Sequence, residues 1–416
     1  MIKNTSYNRF YEIYLGIFVF FALVFPKLIA FAFIGFLPLI IVGYLKKKIS
    51  FKVNLLSILF IAFYLIYLIY AIFTRHPDLA SRYFENKLSF ILIPILLSFR
   101  IKNRISWKAP ILVFLFSILI LLSQSYFVAF SCYFGGEKQI NCFFSSLFSF
   151  QHHPTYTAVY LLLASAFSLC LMKDKGKYLN KKWIIPAIIF LIFSYFLCLS
   201  LAGILFMFLL ISVLFIRFIY LKFGKFITLL SIVVTPVIIF LVINFVPKIE
   251  GEYYNAKWHA DKFMENPSEY LVKQKEPLEG TQVRLCMWIV ATQVFSDFPM
   301  GVGTGNVDEV LGFYLKKSKQ YELAKKEYNP HNQYLQTAVE TGVFGLFILI
   351  ALIFTAVYYS IKNKNWILLT LILNLAFNMI FESMLQRQDG IVFYTFFLNL
   401  LAIYPISMKI SRESLG

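Results

Sequence analysis

The chain has 416 residues, of which 60% are hydrophobic, 19% aromatic and only 14% charged. No water-soluble core needs that much apolar surface, so a soluble enzyme or binding module is excluded and a polytopic membrane protein is expected. The formal net charge of +18 suits basic loops that meet anionic headgroups, so membrane lipids are expected as partners and nucleic acid is not.

Apolar runs approach the roughly 20 residues that a bilayer-crossing helix requires. They recur near 11–26, 28–45, 54–73, 86–99, 110–131, 154–172, 184–199, 201–221, 226–246, 333–360, 366–384 and 390–408. The expected fold class is therefore all-α, with about twelve transmembrane helices and one long outer loop. The first run is one of many and is not read as a cleaved signal peptide. Basic residues gather in alternate short loops, at Lys46–Lys48 and Lys52, at Arg100, Lys102, Arg104 and Lys108, at Lys173, Lys175, Lys177, Lys181 and Lys182, at Arg217, Lys222 and Lys225, and at Lys362 and Lys364. Lys3, Arg9, Lys409 and Arg412 fall on the same side, so both termini are expected to be cytoplasmic. The chain then divides into an N-terminal bundle over 1–246, a helical outer loop over 247–330 packed on it, and C-terminal helices over 331–416.

In the first charged outer loop, TRHPDLASRYFENK, Arg82 is the candidate for chemistry, read as a headgroup anchor before a ligand clamp. Cys132 and Cys142 share a short outer loop, where an oxidising compartment allows a disulfide and two free thiols are the other reading. No cysteine or histidine cluster has metal-ligand spacing. His152 and His153 precede the sixth span in QHHP and read as interfacial. Ser200 and Gly203, in LCLSLAGILF, leave room only for a tight bend or a broken helix.

Within the long loop, TQVRLCMWIVATQVFSDF has helical spacing, with Arg284 aimed at a site while Trp288 and Val290 pack. The following PMGVGTGNVDEV lacks a preceding strand and a GK[ST], so it reads as a flexible turn rather than a phosphate loop. Lys316, Lys317, Lys319, Lys325 and Lys326 form a solvated basic face. Asn329 reads as a helix N-cap and Pro330 as the first helical residue, which puts His331 in the first turn. The helix terminus then favours a neutral imidazole able to accept a proton. Glu382 and Arg387, in FESMLQRQDG, are expected to pair with each other.

The stretch HNQYLQTAVETGVFG resembles the signature of the bacterial O-antigen ligase and O-antigen polymerase superfamily, filled by His331, Asn332, Gly342 and Gly345 at the full spacing. Arg284, followed by an apolar helix and by Pro299, Gly301, Gly303, Gly305 and Asn306, is similar to the same family. The resemblance implies a membrane glycosyltransferase of GT-C type that takes a glycan from an undecaprenyl diphosphate carrier at the periplasmic face of the bacterial inner membrane. Ligases pass it to the lipid A core, polymerases to another carrier-linked glycan and some relatives to protein hydroxyls. It implies His331 as general base and Arg284 as diphosphate ligand, with Asn332 as a further substrate-binding residue beside them in the motif and with no metal or cofactor. A diphosphate is already a good leaving group, so a base and fixed positive charge suffice. One departure stands out, because many members carry an arginine where this chain has Leu201. Arg82 and then Arg387 are its expected substitutes. A ligase reading is preferred to a polymerase, on the HHPTY segment and the single dominant outer loop. A transporter or flippase is the rival class, disfavoured because polarity gathers at the outer surface rather than at the bilayer midplane.

Overall fold

The computed structural model describes residues 6–72, 74–102, 105–137, 139–173, 181–245, 247–274, 278 and 280–406. Lys3, Arg104, Lys175, Lys177, Lys409 and Arg412 lie outside the described residues, as do the side chains of Arg82, Lys181 and Lys225. The first half forms α1 (Ser6–Val24), α2 (Ile29–Leu45), α3 (Leu55–Ala71), α4 (Pro77–Lys87), α5 (Ser89–Ser98), α6 (Lys108–Cys132), α7 (Ser145–Phe148), α8 (Pro154–Lys173), α9 (Lys181–Leu197) and α10 (Leu201–Phe245). After these come α11 (Pro247–Glu265), α12 (Pro267–Lys273), α13 (Gly280–Asp297), α14 (Val307–Lys317), α15 (Tyr321–Lys326), α16 (Gln333–Lys362), α17 (Trp366–Asn378) and α18 (Gln388–Ile403).

Among the described residues six helices are long and apolar enough to cross a membrane: Ser6–Val24, Pro26–Leu45, Lys108–Gly135, Pro154–Met172, Leu201–Gly224 and Gln333–Lys362. Four apolar helices are shorter, Leu55–Ala71, Lys182–Leu197, Trp366–Asn378 and Gln388–Ile403. The expected span at 86–99 has a different form. Its start belongs to α4, whose last residue Lys87 is buried among polar groups, and α5 has only 10 residues before β2 begins. At 1.5 Å per residue a helix of that length covers only about half of a bilayer core.

α18 is the centre of the bundle. Every residue from Gly390 to Leu401 is buried, as expected of a helix that is apolar on all sides and surrounded by others. It packs on α1, α3, α5, α16 and α17. Buried amides join it to its neighbours: Ser57 Oγ donates to Asn399 Oδ1 at 2.8 Å, and Tyr394 OH to Asn374 Oδ1 at 3.2 Å. The first part of α10, by contrast, exposes a run of large apolar side chains, Leu201, Leu205, Leu209, Val213 and Leu214 among them. Such a face is stable against lipid tails and not against water.

The two ends of the bundle differ. At one, β1 (Ile49–Phe51) pairs antiparallel with β2 (Phe99–Ile101), Ser50 opposite Arg100, amid Lys46, Lys47, Lys48, Lys52 and Lys102. At the other, α16 and α18 begin and α3 and α17 end. There α13 packs on α16, and α11 to α15 share a small apolar core of their own. Val290, Val294, Leu311 and Leu315 form part of that core, and Val339 of α16 completes it.

Candidate active site

Two asparagines shape the approach to α16, and they divide the work differently from the sequence reading. Asn329 does not cap the helix, because its Oδ1 accepts the His331 backbone N–H at 2.8 Å and closes a tight turn. His331 takes a left-handed backbone, φ 47°. Asn332 is the N-cap, extended at φ −153° and accepting the Leu335 N–H at 3.1 Å. His331 therefore lies just outside the helix rather than in its first turn. Asn332, expected beside the substrate, is buried and spends its side-chain oxygen on the cap.

The imidazole faces the turn between α17 and α18. His331 Nδ1 lies 3.3 Å from Glu382 Oε2, and His153 Nε2 lies 4.0 Å from the same oxygen. Glu382 thus pairs with two histidines, and the expected pairing with Arg387 is replaced. Histidines at the entries to α8 and α16 converge on this turn, whereas Arg387 forms the exposed N-cap of α18. Burial alone would raise the Glu382 carboxyl, yet His331 above all, with His153 and Arg284, holds it down at about 2. Burial lowers the His153 imidazole, Glu382 opposes that, and Arg387, His331 and Arg284 add to the lowering. His153 was read as interfacial; the fold brings it into the site.

Arg284 sits half-buried in the second turn of α13, and its Nε donates to Phe381 O at 3.2 Å. Trp288, one turn on, has its ring centroid 6.4 Å from that of Phe381. α13 thereby lies on the turn that carries Glu382. Arg387 stands near enough to act on His153. Arg82 lies within α4. Leu201 opens α10 and is 53% exposed, with no place among these charges. The bend before it is a tight turn: Leu199 has φ 43°, and Ser200 Oγ accepts the Gly203 N–H at 3.2 Å. His152 instead ties α8 to α1 and α18, with Nε2 2.7 Å from Leu23 O and Nδ1 3.2 Å from Asp389 Oδ2. Cys132 and Cys142 are joined in a disulfide where α6 ends.

The glycine-rich turn is fixed rather than flexible. In an unbroken α16 the Val343 N–H would donate to Val339 O. Here it donates to Pro299 O at 3.0 Å, Val339 O accepts from Val302 N at 2.8 Å, and Glu340 O accepts from Gly303 N at 3.1 Å. The turn has inserted itself into the helix ladder, and α16 breaks at Gly342, φ 64° and ψ −159°. Only glycine enters that backbone region readily, and a Cβ there would stand 2.3 Å from the carbonyl carbon of Met300. Thr304 Oγ1 donates to Tyr67 O at 3.0 Å, and Asn306 Oδ1 accepts from Arg75 N at 2.8 Å, so the same turn also ties α3 and the 74–76 loop to α16.

Two histidines, a depressed carboxyl and two arginines at one end of a bundle of apolar helices define the class: an all-α membrane protein with ionisable chemistry at its surface end. Residues 186–350 match the family model described as O-Antigen ligase, and that match places this segment in the O-antigen ligase and polymerase superfamily. It takes in Arg284, the glycine-rich turn, His331 and Gly342, while His153 and Glu382 fall outside it. An uncharacterized protein of Haemophilus influenzae is 37% identical over 86 residues, 20% of this chain and 21% of that protein. The chain thus matches about a fifth of that relative's length.

Proposed function

We propose that the protein is an O-antigen ligase-like glycosyltransferase that moves a glycan from undecaprenyl diphosphate to an acceptor hydroxyl, that of the lipid A core, at the periplasmic face of the inner membrane. The observation that carries this reading is the 3.3 Å contact of His331 Nδ1 with Glu382, in which His331 belongs to the segment that matches the O-Antigen ligase family and Glu382 lies beyond it. With Nδ1–H donating to the carboxylate, Nε2 keeps its lone pair for the proton of the attacking hydroxyl, and Glu382 stabilises the imidazolium that results. The bond from the sugar to the diphosphate breaks as the new glycosidic bond forms, and both electrons leave with the diphosphate. Arg284, its plane fixed by the bond to Phe381 O, neutralises that charge. Arg387, exposed beside His153, supplies the second cation in place of the arginine absent at Leu201, with Arg82 as the other candidate.

On this reading no metal is required, and transfer persists in a chelator. A basic cluster at the end opposite His331 fits cytoplasmic termini by the positive-inside tendency. The test is the lipopolysaccharide ladder of cells lacking the protein, complemented with wild type, His331→Ala or Arg284→Ala. Loss of the whole ladder in the variants, with carrier-linked polymer accumulating, is the expected result. A ladder collapsed to one repeat would make the protein a polymerase, and a ladder unaffected by His331→Ala would overturn the assignment.

A further inference from the structure

Behind the site lies a buried ion pair that the proposed chemistry does not use. Lys87 and Glu340 have side chains 0% and 1% exposed, with Lys87 Nζ 3.6 Å from Glu340 Oε1. Lys87 Nζ also donates to Gln386 Oε1 at 2.7 Å and stands over the rings of Tyr67 and Tyr83, 4.3 and 4.8 Å from their centroids. Glu340 Oε2 accepts from Gln386 Nε2 and from Gln336 Nε2, each at 3.2 Å. Charges buried this deeply are costly to retain, and a neutral apolar pair of similar volume is often as stable.

Its place in the chain is informative. Glu340 belongs to the helix that His331 introduces, Gln386 to the turn that carries Glu382, and Lys87 to the end of α4. A second clamp joins the same two segments nearer the site: Gln333 N donates to Met379 O at 2.8 Å, and Gln333 Oε1 accepts the Leu385 N–H at 2.7 Å. One clamp alone lets the turn rock about it, and two clamps fix its orientation.

We propose that Lys87 and Glu340 are positioning residues, which through Gln386 hold the α17–α18 turn so that Glu382 meets His331 Nδ1. Their role in catalysis rests on the function proposed above. The test compares wild type with Lys87→Met, Glu340→Gln and the double variant, all purified in detergent. Each single variant strands one buried charge and is expected to lower the unfolding temperature. The double variant strands none and is expected to regain most of that loss. Stability and positioning then separate in this folded protein. Its kcat for glycan transfer is expected to fall roughly 10-fold or more with KM little changed, since small misplacements of reacting groups cost rate rather than binding. Carbethoxylation of His331 by diethyl pyrocarbonate, read by mass spectrometry, is expected to run several-fold faster once the Glu382 turn no longer covers the ring. Unchanged His331 reactivity in the double variant, or unchanged kcat in an active enzyme, overturns the proposal. If wild type transfers no glycan while His331 reactivity still rises, the proposed function fails and the positioning role stands.

Discussion

Replacing Glu382 with glutamine keeps the shape of the side chain and removes its charge. The carboxyl's ordinary value of 4.5 is brought to about 2, and at 1.36 kcal/mol per unit the ionised form is favoured in the fold by about 3 kcal/mol, net of burial. The side chain is 10% exposed, so solvent screening removes little of this. Because the folded value is depressed, the unfolded chain binds the proton more readily. The contribution is therefore complete above pH 4.5 and is lost as pH falls through about 2. Glutamine mimics the protonated acid, so wild type should exceed Glu382→Gln by about 3 kcal/mol at pH 6 to 7, with the difference closing toward pH 2. Thermal unfolding in detergent across that range measures it. Glycan transfer should fall by about 100-fold or more, as when a base loses the group that steadies its protonated form. A stability gap of the same size at pH 3 and pH 7, or full turnover by the glutamine variant, would refute the reasoning.

Gly342→Ala adds a Cβ 2.3 Å from Met300 C in a backbone region that alanine avoids, and the combined strain and overlap should cost about 3 kcal/mol or more. Gly135→Ala, whose Cβ meets nothing within 4 Å, serves as its control in the same melting assay. Asn332→Ala should cost about 1 kcal/mol through loss of the α16 cap, and faster amide exchange at Leu335 reads that loss at its origin. Replacing Cys132 and Cys142 together by serine opens a loop of sequence separation 10 and should lower stability by about 2 to 3 kcal/mol. Wild type under reducing conditions should then match the double variant.

Much of this fold was legible in the sequence because membrane helices announce themselves by composition alone. Helix ends were legible where an apolar run meets a proline or a run of lysines, as at Pro154 and Leu45. They were not where two candidates compete: with Asn329 and Asn332 both able to cap, only the turn they build together shows that the first closes on His331 and the second caps. The site was half visible. His331 and Arg284 carry recognisable spacing, whereas the contact between Glu382 and His153 joins residues more than two hundred positions apart, and no local pattern encodes it. A nearby arginine made Glu382 look satisfied. The one available hint was that QHHP places a histidine pair at a helix entry on the outer side, and that position favours an interfacial role just as well.

The glycines illustrate why a motif can be read correctly and still be misunderstood. Spacing identifies Gly342 as part of a signature, and the glycine-rich turn as a connection, but in sequence the two are unrelated. In the fold they form a single joint. Breaking a helix of 30 residues inside a membrane protein would strand carbonyl and amide groups, each costing several kcal/mol where water is absent. Here the broken partners are exchanged: Val343 N turns to Pro299 O, and Val339 O and Glu340 O turn to Val302 N and Gly303 N. The break therefore leaves the ladder satisfied at this level, and it needs a Cβ-free residue in α16 because the Met300 backbone comes so close. The joint locks the α13–α14 connection to α16 about three turns beyond His331, so α13, with Arg284, is set against the helix that His331 introduces. The Arg284 guanidinium and the His331 imidazole are thus held in one register by backbone geometry.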